Sequence, residues 1–187
     1  MTAGAEDDGP AIQVAVERLQ QLFHTLDPFP FNERDLDEGV EAYIVDWARE
    51  LPRELPLRIV VHVPPEEAGT DTARGLEAAL QHFFAYRSHV IGRDIKELFR
   101  TGRMALSVGL VALGLCLALG NLVAGRIGSE YLGRFIEEGL IIVGWVANWR
   151  PIEIFLYDWW PLARRRNLYT RLGAASVIVK PTPRRSR

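Results

Sequence analysis

Residues 104–123, MALSVGLVALGLCLALGNLV, form a stretch of 20 residues without a charged side chain. Ser107 and Asn121 are its most polar members. As an α-helix this stretch would be about 30 Å long, which matches the thickness of the hydrocarbon core of a bilayer. A helix of this length in a soluble protein normally keeps one polar face. The stretch therefore predicts a transmembrane helix.

A second apolar stretch, residues 139–158, reads GLIIVGWVANWRPIEIFLYD and also has 20 residues. It contains Arg150 and Glu153, which would share one face of a helix and form an intramembrane polar pair. Charged residues inside a membrane suggest a functional site. Arg150 can alternatively extend to the headgroups and act as an anchor. The alternative is a half-span that breaks at Pro151 and continues along the interface.

Small residues indicate that the two stretches pack as a hairpin over residues 104–158, with an outer loop at residues 124–138. A stripe of small side chains lets two helix backbones approach closely. The stripe consists of Ala105, Gly109, Ala112, Cys116 and Gly120 on the first stretch, faced by Gly139, Gly144 and Ala147 on the second. Cys116 is accordingly predicted to be a packing residue rather than a reactive thiol.

Basic residues flank the two stretches on one side. They are Arg93, Lys96, Arg100 and Arg103 before the first stretch, and Arg164, Arg165 and Arg166 after the second, where they follow the aromatic residues Trp159 and Trp160. Positive charge favours the cytoplasmic side, and tryptophan favours the interface. We therefore expect both termini in the cytoplasm, and anionic headgroups as the partner of these interfacial residues. The alternative is that the first four are ordinary solvated helix charges.

The net charge of -2 conceals a division of the chain. Residues 1–80 contain 17 acidic and 6 basic side chains, whereas residues 81–187 contain 7 acidic and 16 basic ones. A basic half points to a membrane or a polyanion. Because the basic residues cluster beside the apolar stretches, lipid phosphate is the expected partner and nucleic acid is not.

Residues 11–103 are expected to form a cytosolic α+β domain of two or three strands, after a disordered tail at residues 1–10. Alternating apolar residues predict strands at residues 12–16 and 57–63. A helix beginning with a capping box from Asp35 to Glu38 is predicted to bury an apolar face. That face consists of Leu36, Val40, Tyr43, Ile44, Trp47, Ala48 and Leu51.

A long helix should begin near Asp71 and continue into the first span, since no proline interrupts it. Residues 159–187 are expected to form a basic interfacial segment and tail on the cytosolic side. Within them, residues 176–180, SVIVK, are rich in β-branched side chains and would supply a third strand. The alternative is a tail that lies along the interface.

Sequence patterns of catalysis and cofactor binding are missing. GxGxxG, GxxxxGK[ST], GxSxG and HExxH do not occur. His82, Tyr86 and His89 share a helix face but lack a placed carboxylate, so we interpret them as helix surface. The acidic residues Asp27, Glu33, Asp35 and Asp37 do not follow a calcium-loop pattern. We expect no catalytic residues, no metal and no cofactor.

Two segments carry a resemblance. FHTLDPFPFNERDLDEGVEAYIVDWARELP (23–52) and GWVANWRPIEIFLYDWWPLARRRNLY (144–169) resemble segments of small bacterial two-helix inner-membrane proteins with a cytosolic α/β domain. The similarity covers residues 16–169 and implies a multi-pass protein of the bacterial inner membrane. It implies no activity, ligand or catalytic residue.

The expected function is a non-enzymatic, membrane-anchored interaction module with a protein partner on the cytosolic side, and a homo-oligomer is left open. The alternative is a component of a small oligomeric channel or transporter in which Arg150 and Glu153 line the path.

Overall fold

The computed structural model describes residues 11–24, 34–124, 126 and 130–182. It contains two compact units: unit 1 consists of Met1–Val90 and Arg164–Arg187, and unit 2 is Ile91–Ala163. The chain therefore leaves unit 1, forms unit 2 and returns to unit 1. These boundaries differ from the predicted ones at residues 103 and 158. The predicted disordered tail lies outside the described residues.

Unit 1 contains a sheet of three parallel strands in the order β1-β2-β3. The strands are β1 (Ile12–Ala15), β2 (Arg58–Val63) and β3 (Ser176–Pro181). All three predicted strands are confirmed, and the third joins the sheet instead of lying apart as a tail. Parallel neighbours need a crossover connection, and α1 (Glu38–Glu50) lies between the first two strands. The unit thus has an α/β arrangement.

The two faces of the sheet differ in burial. Ile12 pairs with Ile59, and both are completely buried. Neighbouring residues along a strand point to the opposite face. On that face, Gln13 is exposed, and its Oε1 lies 2.9 Å from His62 Nε2. The face that carries Ile12 and Ile59 is therefore the more buried one, and on the Gln13 face Val60 is buried as well.

Both outer edges of the sheet are partly closed by other parts of unit 1. The Tyr43 hydroxyl donates to the Gln13 carbonyl on the β1 edge at 3.1 Å. On the β3 edge, the Val177 amide donates to the Glu77 carboxylate at 3.3 Å, and Pro181 has no N–H. Because open edges recruit further strands, these contacts make the addition of a strand at either edge less favourable.

The predicted cap of α1 is wrong. Asp37, not Asp35, precedes the helix, and its Oδ1 accepts the amides of Gly39 at 2.9 Å and Val40 at 3.4 Å. The Asp35 carbonyl instead accepts the His24 amide at 2.8 Å, next to an antiparallel bridge between Phe23 and Leu36. The helix can begin only after this pairing ends.

We expect Asp37→Ala to destabilise α1 by about 1 kcal/mol, because two amides of the first turn lose their acceptor. Asp37→Asn should retain most of the stability, since its carbonyl oxygen can take the same place. Hydrogen exchange of the α1 amides measures the difference. Equal exchange in wild type and Asp37→Ala would contradict the assigned cap.

The helix predicted between Asp35 and Pro52 is confirmed as α1 (Glu38–Glu50), but its buried face is turned. Tyr43 and Trp47, which were predicted in the core, are each 45% exposed. Glu41 and Val45 are buried instead. The physical reason is that Glu41 has ion-pair and hydrogen-bond partners inside the unit, which draw this side of the helix inward.

After the short helix α2 (Pro65–Ala68), helix α3 (Asp71–Ala124) runs for 54 residues without interruption. The prediction of one helix that starts near Asp71 and contains the charge-free stretch is confirmed. By length and composition alone, two helical stretches among the described residues are apolar enough to cross a membrane, Asp71–Val123 and Tyr131–Gly173.

The second stretch is helical on both sides of a turn at Asn148. It comprises α4 (Glu130–Ala147), α5 (Trp149–Glu153), a π-helical turn (Ile154–Asp158) and α6 (Trp159–Gly173). Pro151 explains the interruption, because proline has no N–H and its ring crowds the carbonyl four residues earlier. That carbonyl belongs to Ala147, where α4 ends. The chain resumes a helix at Trp149, so Pro151 causes a local irregularity rather than the end of the helical stretch.

Candidate functional site

Large apolar side chains lie on the outside of unit 2. In the most apolar 18-residue segment of the first helical stretch, only 11% is buried within the structure. In the corresponding segment of the second stretch, 22% is buried. Val111, Phe135 and Val146 are 64%, 74% and 67% exposed. A helix in the core of a soluble protein would bury such residues, and continuous apolar surface normally marks contact with a partner or a membrane. The outside of unit 2 therefore suits an apolar surrounding.

Unit 2 consists of two antiparallel helical legs: the part of α3 from Ile91 onward, and the returning stretch from α4 to Ala163. Glycines set the register between these two legs. A β-carbon added at Gly102 would lie 2.8 Å from the Ile154 side chain, and one added at Gly120 would lie 3.5 Å from Glu137 Cα. As the residue number on α3 increases by one, the number of the residue opposite it on the second leg therefore decreases by one.

This register defines the two ends of the hairpin. Continuing it places Met104 opposite residues 152–153 and Val123 opposite residue 134. The partner of the charge-free stretch is thus about residues 134–153, which begins five positions before the predicted second span. We call the two levels the Met104 end and the Val123 end.

Asn148 is buried between the two legs. Its Nδ2 donates to the carbonyl oxygens of Gly109 at 3.0 Å and Gly144 at 2.9 Å. Its Oδ1 has no hydrogen-bond partner among the described residues, and it lies 2.6 Å from the position of a β-carbon on Gly109. A Cα–H of Gly109 therefore points at this oxygen, a weak contact that is common where helices approach closely. The Asn148 side chain joins the legs at one level.

The predicted stripe of small residues is confirmed in part. Gly109, Gly120 and Gly144 lie in the contact between the legs. Gly139 does not, because an added β-carbon would have nothing within 4 Å. Gly102, which the prediction omitted, extends the contact at the Met104 end.

Arg150 forms ion pairs with two carboxylates near the Met104 end. Its Nη1 lies 3.1 Å from Glu153 Oε2 and 3.1 Å from Asp158 Oδ2. Trp149 Nε1 donates to the other Glu153 oxygen at 2.9 Å. The predicted pairing of Arg150 with Glu153 is confirmed. Asp158 was not foreseen, since the π-helical turn places it where α-helical spacing does not. We call these four residues the Arg150 cluster.

Four basic residues on α3 form a second charged feature at the Met104 end, which we call the basic stripe. All four are exposed, and none has a carboxylate partner within the described parts of the chain. They are Arg93, Lys96, Arg100 and Arg103. The guanidinium of Arg150 is occupied by carboxylates, whereas the charges of the basic stripe are available to a ligand.

Aromatic rings gather at the same end of unit 2. The Phe99 ring centroid lies 5.9 Å from that of Phe155 and 6.3 Å from that of Trp159. Trp159 contacts Trp160 at 5.8 Å, and Trp160 is about half exposed. Two of the rings predicted for the interface therefore lie together, one half-buried and one open to the surroundings.

The basic residues after the second leg belong to unit 1. Arg164, Arg165 and Arg166 are all exposed. Arg165 also lies over the Tyr169 ring, with its guanidinium carbon 5.4 Å from the ring centroid. One of the three residues predicted at the interface therefore also packs on a side chain of its own unit.

Unit 1 contains a buried polar network that sequence reasoning missed. Glu41 is 7% exposed. Its Oε1 accepts the Tyr169 hydroxyl at 2.5 Å, and its Oε2 accepts Arg87 Nη2 at 2.8 Å. The network connects α1, the first part of α3 and the returning helix α6. We call Glu41, Arg87 and Tyr169 the Glu41 network.

Burial and the Glu41 contact both raise the pKa of the Tyr169 phenol. The hydrogen bond to Glu41 also raises the pKa of the Arg87 guanidinium. Both groups therefore keep their protons throughout the physiological range, and the network persists as a neutral phenol and an ion pair.

Because the folded-state pKa of Tyr169 is raised, its contribution to stability is fully present below the unfolded value of about 10. It is lost as pH rises through the higher folded-state value. We expect the thermal midpoint of the full chain in mild detergent to fall more steeply above about pH 10 in wild type than in Tyr169→Phe. Parallel curves for the two proteins would contradict this role of Tyr169.

The structure brings few candidate metal ligands together. Within the described ranges, no group of three or more His, Cys, Asp or Glu residues could hold a metal ion. His82, Tyr86 and His89 are exposed on α3. Asp27 and Glu33 lie outside the described residues, and Asp37 has a role as the cap of α1.

Sequence signals for the missed residues were partial. Glu41, Ile44, Val45 and Ala48 are buried at helical spacing, but only three of them are apolar. Asn148 could have been singled out as an uncharged polar residue three positions before a proline. The Tyr169 hydroxyl donates to Glu41, 128 positions away, so this hydrogen bond leaves no local pattern.

Comparison of the chain with known protein families, curated proteins and solved structures finds no match. The resemblance to two-helix inner-membrane proteins therefore stays a prediction.

Proposed function

We propose that the protein is an integral membrane protein of the bacterial inner membrane, in which unit 2 spans the bilayer as a helical hairpin. The observation that carries this proposal is the exposed apolar surface around a charge-free stretch of 20 residues. Exposure of this apolar surface to water is unfavourable, whereas its contact with hydrocarbon is favourable. The register supports spans at residues 104–123 and about 134–153, of similar length.

The charge distribution supports an orientation in which unit 1 is cytoplasmic. The exposed basic stripe and the aromatic rings are found at the Met104 end. The Val123 end has only Arg126 and Arg134 among its basic residues. An excess of positive charge on the cytoplasmic side is the usual arrangement.

Unit 1 would then serve as a non-enzymatic docking module. A suitable surface is the pair formed by Tyr43 and Trp47 on α1, whose ring centroids are 6.2 Å apart and which are both partly exposed. Exposed aromatic residues are the side chains most often found at the centre of protein interfaces. The closed sheet edges favour this helix surface over strand addition.

The channel alternative has less support. Arg150, Glu153 and Asp158 neutralise one another in part, and the register places them near the Met104 end rather than at mid-membrane. In secondary transporters, the substrate and coupling-ion sites lie near the middle of the bilayer.

Alkaline carbonate extraction of membranes tests the spanning hairpin. The protein is expected to stay in the membrane pellet, together with a known integral protein, whereas a peripheral control protein is released. Release of this protein with the peripheral control would overturn the proposal.

Thiol labelling tests the orientation. Cys116 is the only cysteine, so a Cys116→Ala background accepts single replacements. Tyr131→Cys should react with an impermeant maleimide in intact cells, whereas Glu50→Cys should react only after the membrane is opened. The reverse pattern would place unit 1 outside.

The docking surface is tested with a photo-crosslinking residue at position 47 or, as the control, at exposed position 50. A specific adduct in membranes is expected only from position 47. Identical adducts from both positions would argue against a surface centred on Trp47.

A further inference from the structure

We propose that the basic stripe binds the headgroups of anionic phospholipids on the cytoplasmic side of the membrane. This inference rests on the proposed membrane hairpin. It adds a ligand class, phosphodiesters with a net negative charge, and a set of contact residues of unequal importance.

The first argument is the availability of charge. The four residues of the basic stripe are exposed and have no carboxylate partner within the described ranges, whereas Arg150 at the same end contacts two carboxylates. A phosphate can therefore bind the stripe without breaking an existing ion pair. Arginine suits this ligand because its guanidinium group presents paired donors to phosphate oxygens.

The second argument is the height of each charge above the hydrocarbon. At about 1.5 Å per residue, Arg103 lies about 2 Å and Arg100 about 6 Å beyond Met104 along the helix. Lys96 and Arg93 lie about 12 Å and 16 Å beyond it. The headgroup layer on each side of a bilayer is about 5–8 Å thick.

These heights predict a gradient along the stripe. Arg103 and Arg100 are level with the phosphates, whereas Arg93 stands about one screening length above them at physiological salt. A tilt of about 20° shortens the heights by under a tenth. The lipid contact is therefore concentrated in the last turn of α3 before the charge-free stretch.

The experiment uses the full chain in vesicles of equal parts phosphatidylcholine and phosphatidylglycerol. Trace spin-labelled lipid of each kind reports the fraction held at the protein surface. Wild type is expected to prefer phosphatidylglycerol. Arg103→Gln should reduce the preference by up to about five-fold, the equivalent of about 1 kcal/mol. Arg93→Gln removes the same charge from the same stripe and should change the preference by less than about two-fold.

Arg134→Gln, near the Val123 end, is the control for the other side of the membrane. It should leave the preference unchanged when the label is confined to the leaflet that faces unit 1. Equal losses in Arg103→Gln, Arg93→Gln and Arg134→Gln would show a general effect of net charge and would overturn the proposal.

Two further outcomes separate this proposal from others. If inorganic phosphate removes the preference more than sodium chloride of the same ionic strength, the stripe is a site for soluble phosphate, and the lipid assignment fails. Carbonate extraction of the same vesicles checks insertion independently. A protein that is inserted but shows no lipid preference would refute the headgroup site alone, whereas a protein that is extracted would refute both.

Discussion

Gly109→Val is expected to separate the two legs of unit 2. A β-carbon at this position would lie 2.6 Å from Asn148 Oδ1 and 3.1 Å from the Ala147 carbonyl oxygen. The amide could move, but the backbone carbonyl cannot move without shifting α4. Overpacking of this kind costs about 1–3 kcal/mol, and displacement of Asn148 also loses its two hydrogen bonds between and within the legs.

Cys116 reports the separation directly. It lies in the contact, 3.5 Å from the position of a β-carbon on Gly144. In Gly109→Val, we expect its thiol to react faster with a membrane-permeant maleimide and the thermal midpoint in mild detergent to fall. Gly114→Val is the matched control on the same helix, because its β-carbon would have nothing within 4 Å. Equal reactivity of Cys116 in the two variants would contradict the packing described here.

Glu41→Ala is expected to destabilise unit 1 by breaking the Glu41 network. It removes the acceptor of both the Tyr169 hydroxyl and the Arg87 guanidinium. A buried donor without a partner costs about 1–3 kcal/mol. Because the Arg87 side chain is 42% exposed, water can replace part of what it loses, so we expect about 2 kcal/mol overall.

Glu50→Ala is the control for this prediction, since Glu50 is exposed at the end of the same helix and its replacement should change stability by less than about 0.5 kcal/mol. Tyr169→Phe should fall between the two variants, because it removes one hydrogen bond and leaves the ion pair. Hydrogen exchange of α1 in the full chain, in mild detergent, ranks the three. A Glu41→Ala protein no less stable than Glu50→Ala would refute the structural role of the network.

Local patterns predicted the elements that depend on local chemistry. The first two strands followed from alternation and the third from its β-branched residues. The long helix followed from the lack of proline and the apolar repeat. The pairing of Arg150 with Glu153 followed from helical spacing alone. Each of these inferences needs only residues within a few positions of one another.

Features that depend on distant partners were not predictable in the same way. The buried face of α1 is set by what Glu41 meets on α3 and α6, so the apolar pattern alone placed Tyr43 and Trp47 in the core. The register of the hairpin is set by Gly102 and Gly120 against residues far along the chain, and sequence analysis placed the second span five positions later. Asp158 contacts Arg150 because the π-helical turn at Ile154–Asp158 moves it from the position that a regular α-helix would give.

The discontinuity of unit 1 has a consequence for biosynthesis. Strand β3 is translated after both legs of unit 2, so until residues 176–181 emerge, β2 keeps one edge without hydrogen bonds. In the proposed topology, only a chain whose second leg has returned to the cytoplasm can supply that strand. A molecule with a wrongly inserted second leg would retain an unpaired strand edge, which attracts other chains. Completion of this small sheet would therefore depend on correct membrane insertion of the second leg.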